Sequence, residues 1–354
     1  EYVILFDKYT FKAGVILINA TYIVLATGSR ARIFPIDGLD SVEYFTNETI
    51  FDLVEQPKHL IVLGGGPIGV ELAQAHALLG SKVTIIEAAE NILTPIDSDC
   101  RDVVLSEFDK LGIDVITNAN VTKVAKSDNG VSVFLNEQTI KGSHLLVATG
   151  RQPNVEKLGL DEVGVKHSQK GITVDSRLRT NYKNVFAIGD IASHLQFTHT
   201  AGYHAGIVIQ NILFKLPAKV DYSCFPWNIY TTPEIAHVGM SIDAAEQQGA
   251  TVLKLPYEAN DRAQANLATK GLVKIAVDKK GYILGASIVG ESAGELITQW
   301  TIAIKNKLKI KQMTSHIVAY PTLSELNKRI AGSYFTPKLY SDRVKKLVRF
   351  LLRF

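Results

Sequence analysis

Apolar stretches short enough to be strands alternate along this chain with glycine-bearing loops and with longer stretches of helical period. Residues 16–25, ILINATYIVL, read as one β-rich run that ends in the small-residue loop Ala26-Thr27-Gly28-Ser29. Residues 145–152, LLVATGRQ, repeat that pattern 122 positions later. Two strand-loop units so far apart predict two related dinucleotide-type domains; a solenoid would repeat every 20 to 50 residues or so. Between them, HLIVLGGGPIGVELAQAHALLGSKVTIIE reads as a buried strand, a glycine turn, a helix closed by Gly80 and a second strand, the start of a βαβ unit. NVFAIGDIA is another apolar strand, ending in Gly189-Asp190, and a helix is expected to begin near Thr198 and run through AGYHAGIVIQNIL. After Pro217 the texture changes. Residues 224–330 alternate β-rich runs (GLVKIAVD, YILGASIVG) with one long apolar helix (ELITQWTIAIKNKL), which predicts an antiparallel sheet with helices in a separate α+β domain starting near Cys224.

The bulk numbers agree with this plan. The chain has 354 residues, 46% of them hydrophobic, and a mean hydropathy of +0.11, enough to bury substantial cores in two or three domains. The net charge of +3 is unevenly spread, because residues 334–354 carry Lys338, Arg343, Lys345, Lys346, Arg349 and Arg353 against Asp342 alone. No broad basic face results, so nucleic acid is not an expected partner. Cys100 and Cys224 lie too far apart for a disulfide framework or a zinc site with paired ligands, so no metal site is expected and a reducing cytoplasm is the simplest home. No run approaches the ~18 apolar residues of a membrane span.

The strongest local signal is Gly64-Gly65-Gly66-Pro67-Ile68-Gly69, which satisfies G-x-G-x-x-G at Gly64, Gly66 and Gly69, directly after a strand and opening a helix. Gly64 suits the tight turn, Gly66 lets backbone approach a pyrophosphate, and Gly69 packs helix on strand, while the helix N-terminus presents N–H groups to the phosphates. Glu87 ends the second strand. A carboxylate there accepts ribose hydroxyls and repels a 2′-phosphate, and Ala88 and Ala89 offer no arginine to reverse that preference, so NADH is expected over NADPH.

Six motifs in order, ATGSR, GGGPIGVELA, TIIEAAENIL, ATGRQPN, AIGD and YPTLSE, resemble the pyridine nucleotide-disulfide oxidoreductases over almost the whole chain. That group, which includes dihydrolipoamide dehydrogenase, glutathione reductase and mercuric reductase, consists of homodimeric flavoenzymes that pass electrons from NAD(P)H through FAD to a cysteine pair. The resemblance implies an α/β fold of two Rossmann-like dinucleotide-binding domains, FAD and NAD, plus a C-terminal α+β dimerisation domain. The implied domains are residues 1–55 and 153–223 for two segments of the FAD domain, 56–152 for the NAD domain, 224–333 for the dimerisation domain and 334–354 for a basic amphipathic tail. FAD is expected at Ala26, Thr27, Gly28, Gly189, Asp190, Thr198 and His199, with the Asp190 carboxylate accepting a ribityl hydroxyl and the helix from Thr198 aiming its N-terminus at the flavin pyrimidine. NAD is expected along Gly64, Gly66, Ile68, Gly69, Glu87 and Gly150.

By the same resemblance Glu71, in the first turn of the nucleotide helix, pairs with a lysine beside flavin N5; that lysine is not in this sequence. The flavin's own G-x-G-x-x-G and a Cys-x4-Cys pair are also missing. Both belong before the first ATG, and a preceding segment of at least one βαβ unit, ~30 residues, is expected upstream of Glu1.

The motif YPTLSE departs from the thiol-reducing members. Tyr320 stands where they carry a histidine, with Glu325 retained five positions on. A phenol, with an ordinary pKa of about 10, relays protons poorly at neutral pH, which argues against ordinary lipoamide or glutathione turnover. Mercuric reductases carry tyrosine here too, but they end in vicinal cysteines, whereas this chain ends in Phe-Leu-Leu-Arg-Phe. Tyr320, Glu325 and Glu71 are therefore the expected catalytic residues of a homodimer, Tyr320 and Glu325 completing the partner subunit's site. His199, His204 and His316 are assigned no acid–base chemistry.

The expected activity is transfer of electrons from NADH through FAD to a disulfide, thiol-bound or metal acceptor. The alternatives are an NADH:acceptor flavoprotein without disulfide chemistry and a non-catalytic nucleotide-binding interaction protein. Residues 341–354 read as a basic amphipathic helix, which either packs on its own protein or a partner subunit or touches the inner face of a membrane.

Overall fold

The structure, a computed structural model, describes residues 3–94 and 96–354. It opens with strands β1 (Val3–Leu5), β2 (Thr10–Ala13), β3 (Ile16–Asn19), β4 (Ile23–Leu25) and β5 (Ser29–Ala31). A βαβ unit follows, made of β6 (His59–Leu63), helix α1 (Pro67–Leu78) and β7 (Lys82–Ile86). Next come α2 (Ser98–Lys110), β8 (Asp114–Ile116), and the meander of β9 (Val121–Ser127), β10 (Gly130–Leu135) and β11 (Thr139–Gly142). Strands β12 (His144–Val147) and β13 (Arg151–Pro153) lead through α3 (Leu160–Val163), β14 (His167–Ser168), β15 (Gly171–Ile172) and β16 (Val185–Ala187) to the long helix α4 (Thr198–Ile212). Then β17 (Pro226–Ile229), β18 (Glu234–Gly239), α5 (Ile242–Gln247), β19 (Thr251–Pro256), α6 (Asp261–Ala265), β20 (Leu272–Val277) and β21 (Ile283–Gly290) complete the strands. Four helices close the chain, α7 (Ala293–Lys305), α8 (Glu325–Ser333), α9 (Thr336–Leu339) and α10 (Asp342–Leu351).

These elements gather into two compact units. The smaller takes the residues up to Pro35, Thr46–Phe51 and Val147–Asp221. Its parallel pair β4–β16 aligns Ile23 with Val185 and Leu25 with Ala187, and all four side chains enter one apolar cluster with Leu5, Leu160 and Ile191. The single run expected over 16–25 is in fact two strands in two sheets. β3 pairs with β2 in an antiparallel sheet, the chain turns at Ala20, whose N–H reaches Tyr9 O, and β4 then joins β16. β5 and β13, the strands that leave the two ATG loops, pair with each other antiparallel, Pro153 opposite Ser29 and Arg151 opposite Ala31.

The larger unit takes Ile36–Phe45, Asp52–Leu146 and Tyr222–Phe354. One of its sheets runs in the order β12-β6-β7-β8, with β6, β7 and β8 mutually parallel. Leu60 to Leu63 are all buried, the continuous apolar signature of a parallel strand. Besides the antiparallel meander β11-β10-β9, the unit holds a five-stranded antiparallel sheet, β17-β18-β21-β20-β19, as the change of texture after Pro217 predicts. Helices α7 and α8 close it over a core that includes Trp300, Tyr257, Ile288 and Leu326. All six residues of β20 are buried, Lys274 among them, so this central strand shows no in–out alternation. Lys274 Nζ lies 2.7 Å from Asp97 and 2.9 Å from Asp99, which compensates the buried charge and holds the start of α2. Among the described residues no helix is long and apolar enough to cross a membrane.

Candidate functional site

The glycine turn is built largely from backbone and packing. Gly66 precedes α1 with an extended backbone and no side-chain cap, and Pro67 begins the helix, where its missing N–H leaves nothing unpaired. Gly64 has φ of 109°, which other residues rarely adopt. A Cβ on Gly69 would overlap the Gly64 carbonyl oxygen, and one on Gly65 would overlap the Ile92 side chain, whereas a Cβ on Gly66 would meet nothing. The turn is thus closed on the protein side and open at Gly66, beside the free N–H groups of the first helical turn. Ile68 and Gly69 lie in that turn.

Glu87, at the end of β7, folds back on the loop: one carboxylate oxygen accepts from Gly65 N (2.7 Å) and the other from Ala89 N (2.8 Å). Each oxygen keeps a further lone pair for ribose hydroxyls. These residues fit a dinucleotide, with an open backbone cradle for the pyrophosphate and a carboxylate 22 residues from Gly65 in sequence for the ribose.

Glu71 opens the second turn of α1, one turn later than expected, because the helix starts at Pro67. Its carboxylate accepts from Tyr230 N at 2.7 Å, and burial pushes its pKa up, partly offset by that hydrogen bond.

In the smaller unit the structure brings together residues that the sequence separates. The first ATG loop is held by Asn154: its N–H donates to Gly28 O, its side-chain amide to Thr27 O, and its carbonyl accepts from Thr27 Oγ1. The second loop is held by Arg32, whose N–H donates to Gly150 O and whose carbonyl accepts from Thr149 Oγ1. Asp190 joins this group through Ser29, whose hydroxyl donates to Asp190 Oδ2 (2.5 Å) and accepts from Arg151 Nε (2.6 Å). The Arg151 guanidinium lies 3.6 Å from the same carboxylate oxygen. Ser29, Arg151 and Asn154 were not foreseen as site residues, although all three stand in the quoted motifs ATGSR and ATGRQPN.

Among the described residues Asp190 Oδ1 accepts no hydrogen bond, which leaves it for an incoming hydroxyl. Gly28, at φ of 66°, would clear any neighbour even with a Cβ, and Ala26 and Thr27 before it are exposed. Helix α4 begins at Thr198, as expected, with no side-chain cap, and the His199 ring lies tilted beside Phe197. The fully buried His204, four positions after Thr200, accepts from the Gly189 N–H at 3.0 Å; burial lowers its pKa, so it braces the Gly189-Asp190 turn as a neutral ring. An uncommitted carboxylate oxygen, an open glycine loop and an uncapped helix N-terminus fit the ribityl and pyrimidine ends of FAD.

Tyr320 lies in an exposed corner before α8, 70% accessible, with Glu325 as the first residue of that helix. Its hydroxyl donates to Asp261 Oδ2 at 3.0 Å. That bond and the charge of Asp261, with burial and Glu325 contributing less, raise the phenol's pKa, so Tyr320 stays protonated over the physiological range. Asp261, on α6, carries no motif that would have singled it out. Cys100 lies on the buried face of α2, and burial pushes its thiol well above the ordinary range; the Asp97 carboxylate adds to this. It is inert as a nucleophile.

The chain is similar to known proteins over most of its length. The family model for pyridine nucleotide-disulphide oxidoreductases matches residues 7–205, and the model for the dimerisation domain of that family matches residues 225–330. The chain is 38% identical over 315 residues to the dihydrolipoyl dehydrogenase of Chlamydia pneumoniae, covering 88% of this chain and 68% of that one. It is 33% identical over 327 residues to the mercuric reductase of Staphylococcus aureus, covering 90% and 60%. The HOCl-induced flavoprotein disulfide reductase RclA of Escherichia coli, solved as a Cu(II) complex, superposes with a TM-score of 0.89 at 30% identity, over 93% of this chain and 78% of that one. The chain thus spans roughly two thirds of the length of the curated relatives it matches. The two family models together cover most of the chain, and the chain belongs to the pyridine nucleotide-disulphide oxidoreductases, a family that uses FAD and NAD(P)H.

Proposed function

We propose that this chain forms the greater part of a homodimeric flavoenzyme that passes electrons from NADH through FAD to a disulfide, thiol-bound or metal acceptor. The observation that carries the reading is the Gly64–Gly69 turn, closed by packing at Gly65 and Gly69, open at Gly66, and faced by a Glu87 carboxylate bound to the Gly65 N–H. A carboxylate held there favours NADH over NADPH, because a 2′-phosphate would meet its charge.

FAD, when bound, accepts a hydride and hands on electrons. Asp190, fixed by Ser29 and Arg151, would take a ribityl hydroxyl on Oδ1, with Ala26, Thr27, Gly28 and Gly189 lining the approach. The N-terminus of α4, at Thr198 and His199, would stabilise negative charge on the reduced pyrimidine. Glu71, its carboxylate anchored to Tyr230 N, would orient a cation supplied from outside the described residues. Gly150, in the smaller unit, has open backbone at φ of 119°.

The match to a dimerisation domain supports a homodimer, in which we place Tyr320 and Glu325 at the partner subunit's acceptor site. The exposed Tyr320 and Ile317 are the kind of surface a subunit interface covers. A phenol held protonated by Asp261 is a donor, not a base. That favours, as a second reading, an acceptor that needs no histidine-type relay, such as a metal ion or another electron carrier. We place the protein in the cytoplasm.

The test is the visible spectrum of the protein expressed from its own start codon, before and after anaerobic NADH. Bleaching of a flavin band with a new long-wavelength thiolate-to-flavin band supports the disulfide reading. Bleaching without that band, unaffected by thiol alkylation, supports the second. A colourless protein that still binds NADH overturns both.

A further inference from the structure

Helix α10 separates its side chains by chemistry. At about 100° per residue, Val344, Leu347, Val348 and Leu351 fall on one stripe, and Lys346 and Arg349 fall on the opposite face with Arg353 just beyond the helix. Arg343 borders the stripe on one side and Lys345 on the other, so cations flank it on both edges. Most of the stripe is uncovered: Leu347 is 54% exposed and Leu351 58%, with Val344 half-buried at its start. The same holds for most of the charges. Lys345 approaches Asp342 at 3.8 Å, but among the described residues Arg343, Lys346, Arg349 and Arg353 have no carboxylate partner.

The helix is tied to the folded domain. Tyr334 and Phe335 pack against the core of the five-stranded sheet, α9 follows, and Ser341 caps α10 by accepting from the Val344 N–H. Leu339 and Tyr340, both exposed, extend the apolar surface back toward that anchor.

We propose that α10 docks the protein on an anionic lipid surface, lying flat with the Val344–Leu347–Val348–Leu351 stripe among the acyl chains. Lys345, Lys346, Arg349 and Arg353 then face the phosphate headgroups. An apolar stripe edged with cations on both sides suits a surface that is apolar below and anionic all around it, which a bilayer rich in acidic phospholipid supplies without any shaped pocket. The inference is independent of the redox chemistry, since no residue in it belongs to the nucleotide or flavin groups.

The experiment is co-sedimentation of the full-length protein with vesicles of phosphatidylglycerol and phosphatidylcholine, against vesicles of phosphatidylcholine alone, at low and high salt. The expected result is binding to the anionic vesicles only, weakened by salt. Binding should fall by about tenfold or more in Lys346→Glu/Arg349→Glu and in Leu347→Glu/Leu351→Glu, with the flavin spectrum and the mass in solution unchanged. No binding to anionic vesicles would overturn the proposal, and so would equal binding to both kinds that survives the substitutions. A change of oligomeric state in Leu347→Glu/Leu351→Glu would assign the stripe to a subunit interface and overturn it too.

Discussion

The Gly64–Gly69 turn and the Tyr320–Glu325 corner, both in the larger unit, hold their functional atoms in opposite ways. The turn is a backbone object, in which Gly69 is seated against the Gly64 carbonyl and Gly65 against Ile92, while Gly66 stays open to a ligand. The corner is a side-chain object on the surface, where one hydrogen bond to Asp261 positions the phenol and little packs around it. The contrast teaches that stability and chemistry are entangled in the first and separable in the second.

The largest expected effect lies in the turn. Gly69→Ala forces its methyl into the Gly64 carbonyl and is expected to lower stability by about 2–3 kcal/mol and to abolish NADH binding, read by thermal melting and fluorescence titration. Gly66→Ala sharpens the point within the same loop. Its methyl meets no protein atom, so the melting temperature should hardly move, within about 0.5 kcal/mol, while NADH affinity falls by roughly tenfold as the pyrophosphate is held off. Equal losses of stability in both variants would break the contrast.

The corner should respond in reverse. Tyr320→Phe is expected to change stability by less than about 0.5 kcal/mol while acceptor turnover drops. Asp261→Asn removes the group that raises the phenol's pKa, so the phenolate absorbance of Tyr320, taken as the difference from the Tyr320→Phe variant, should appear at lower pH than in the parent. An unmoved titration would detach Asp261 from the corner.

The smallest effect belongs to Glu71. Its pKa is raised in the folded state, so its contribution is fully present below the unfolded value of about 4.3 and is lost as pH rises through the folded value. Glu71→Gln, which can still accept from Tyr230 N, should therefore flatten the fall of stability above that pH and gain about 0.5 kcal/mol at neutrality, measured in denaturant melts. Loss of stability instead would mean that the charged carboxylate is favoured where it sits.

The turn was legible in the sequence because each of its requirements is local: a strand, glycines at fixed spacing, a proline at the first helical position and a carboxylate at the next strand end. The Asp190 group was only half legible. Asp190 was expected, but its partners Ser29 and Arg151 lie 161 and 122 positions from the residues they bind, and no periodicity connects such distances. Asp261 was invisible for the same reason, standing 59 positions from Tyr320 on a five-residue helix without a motif. The run at 16–25 misled because apolar content cannot tell one long strand from two short ones. The break at Ala20 is decided by the sheets that β3 and β4 join.

The sealed thiol of Cys100 has a practical use. Because it sits on the buried face of α2, packed away from solvent in the larger unit and kept protonated there, it can react only when that region opens. The rate at which a mass tag arrives on this one sulfur under native conditions is therefore a clock for local unfolding, built into the chain and needing no engineered label. Ligands that tighten the larger unit, NADH foremost, should slow it.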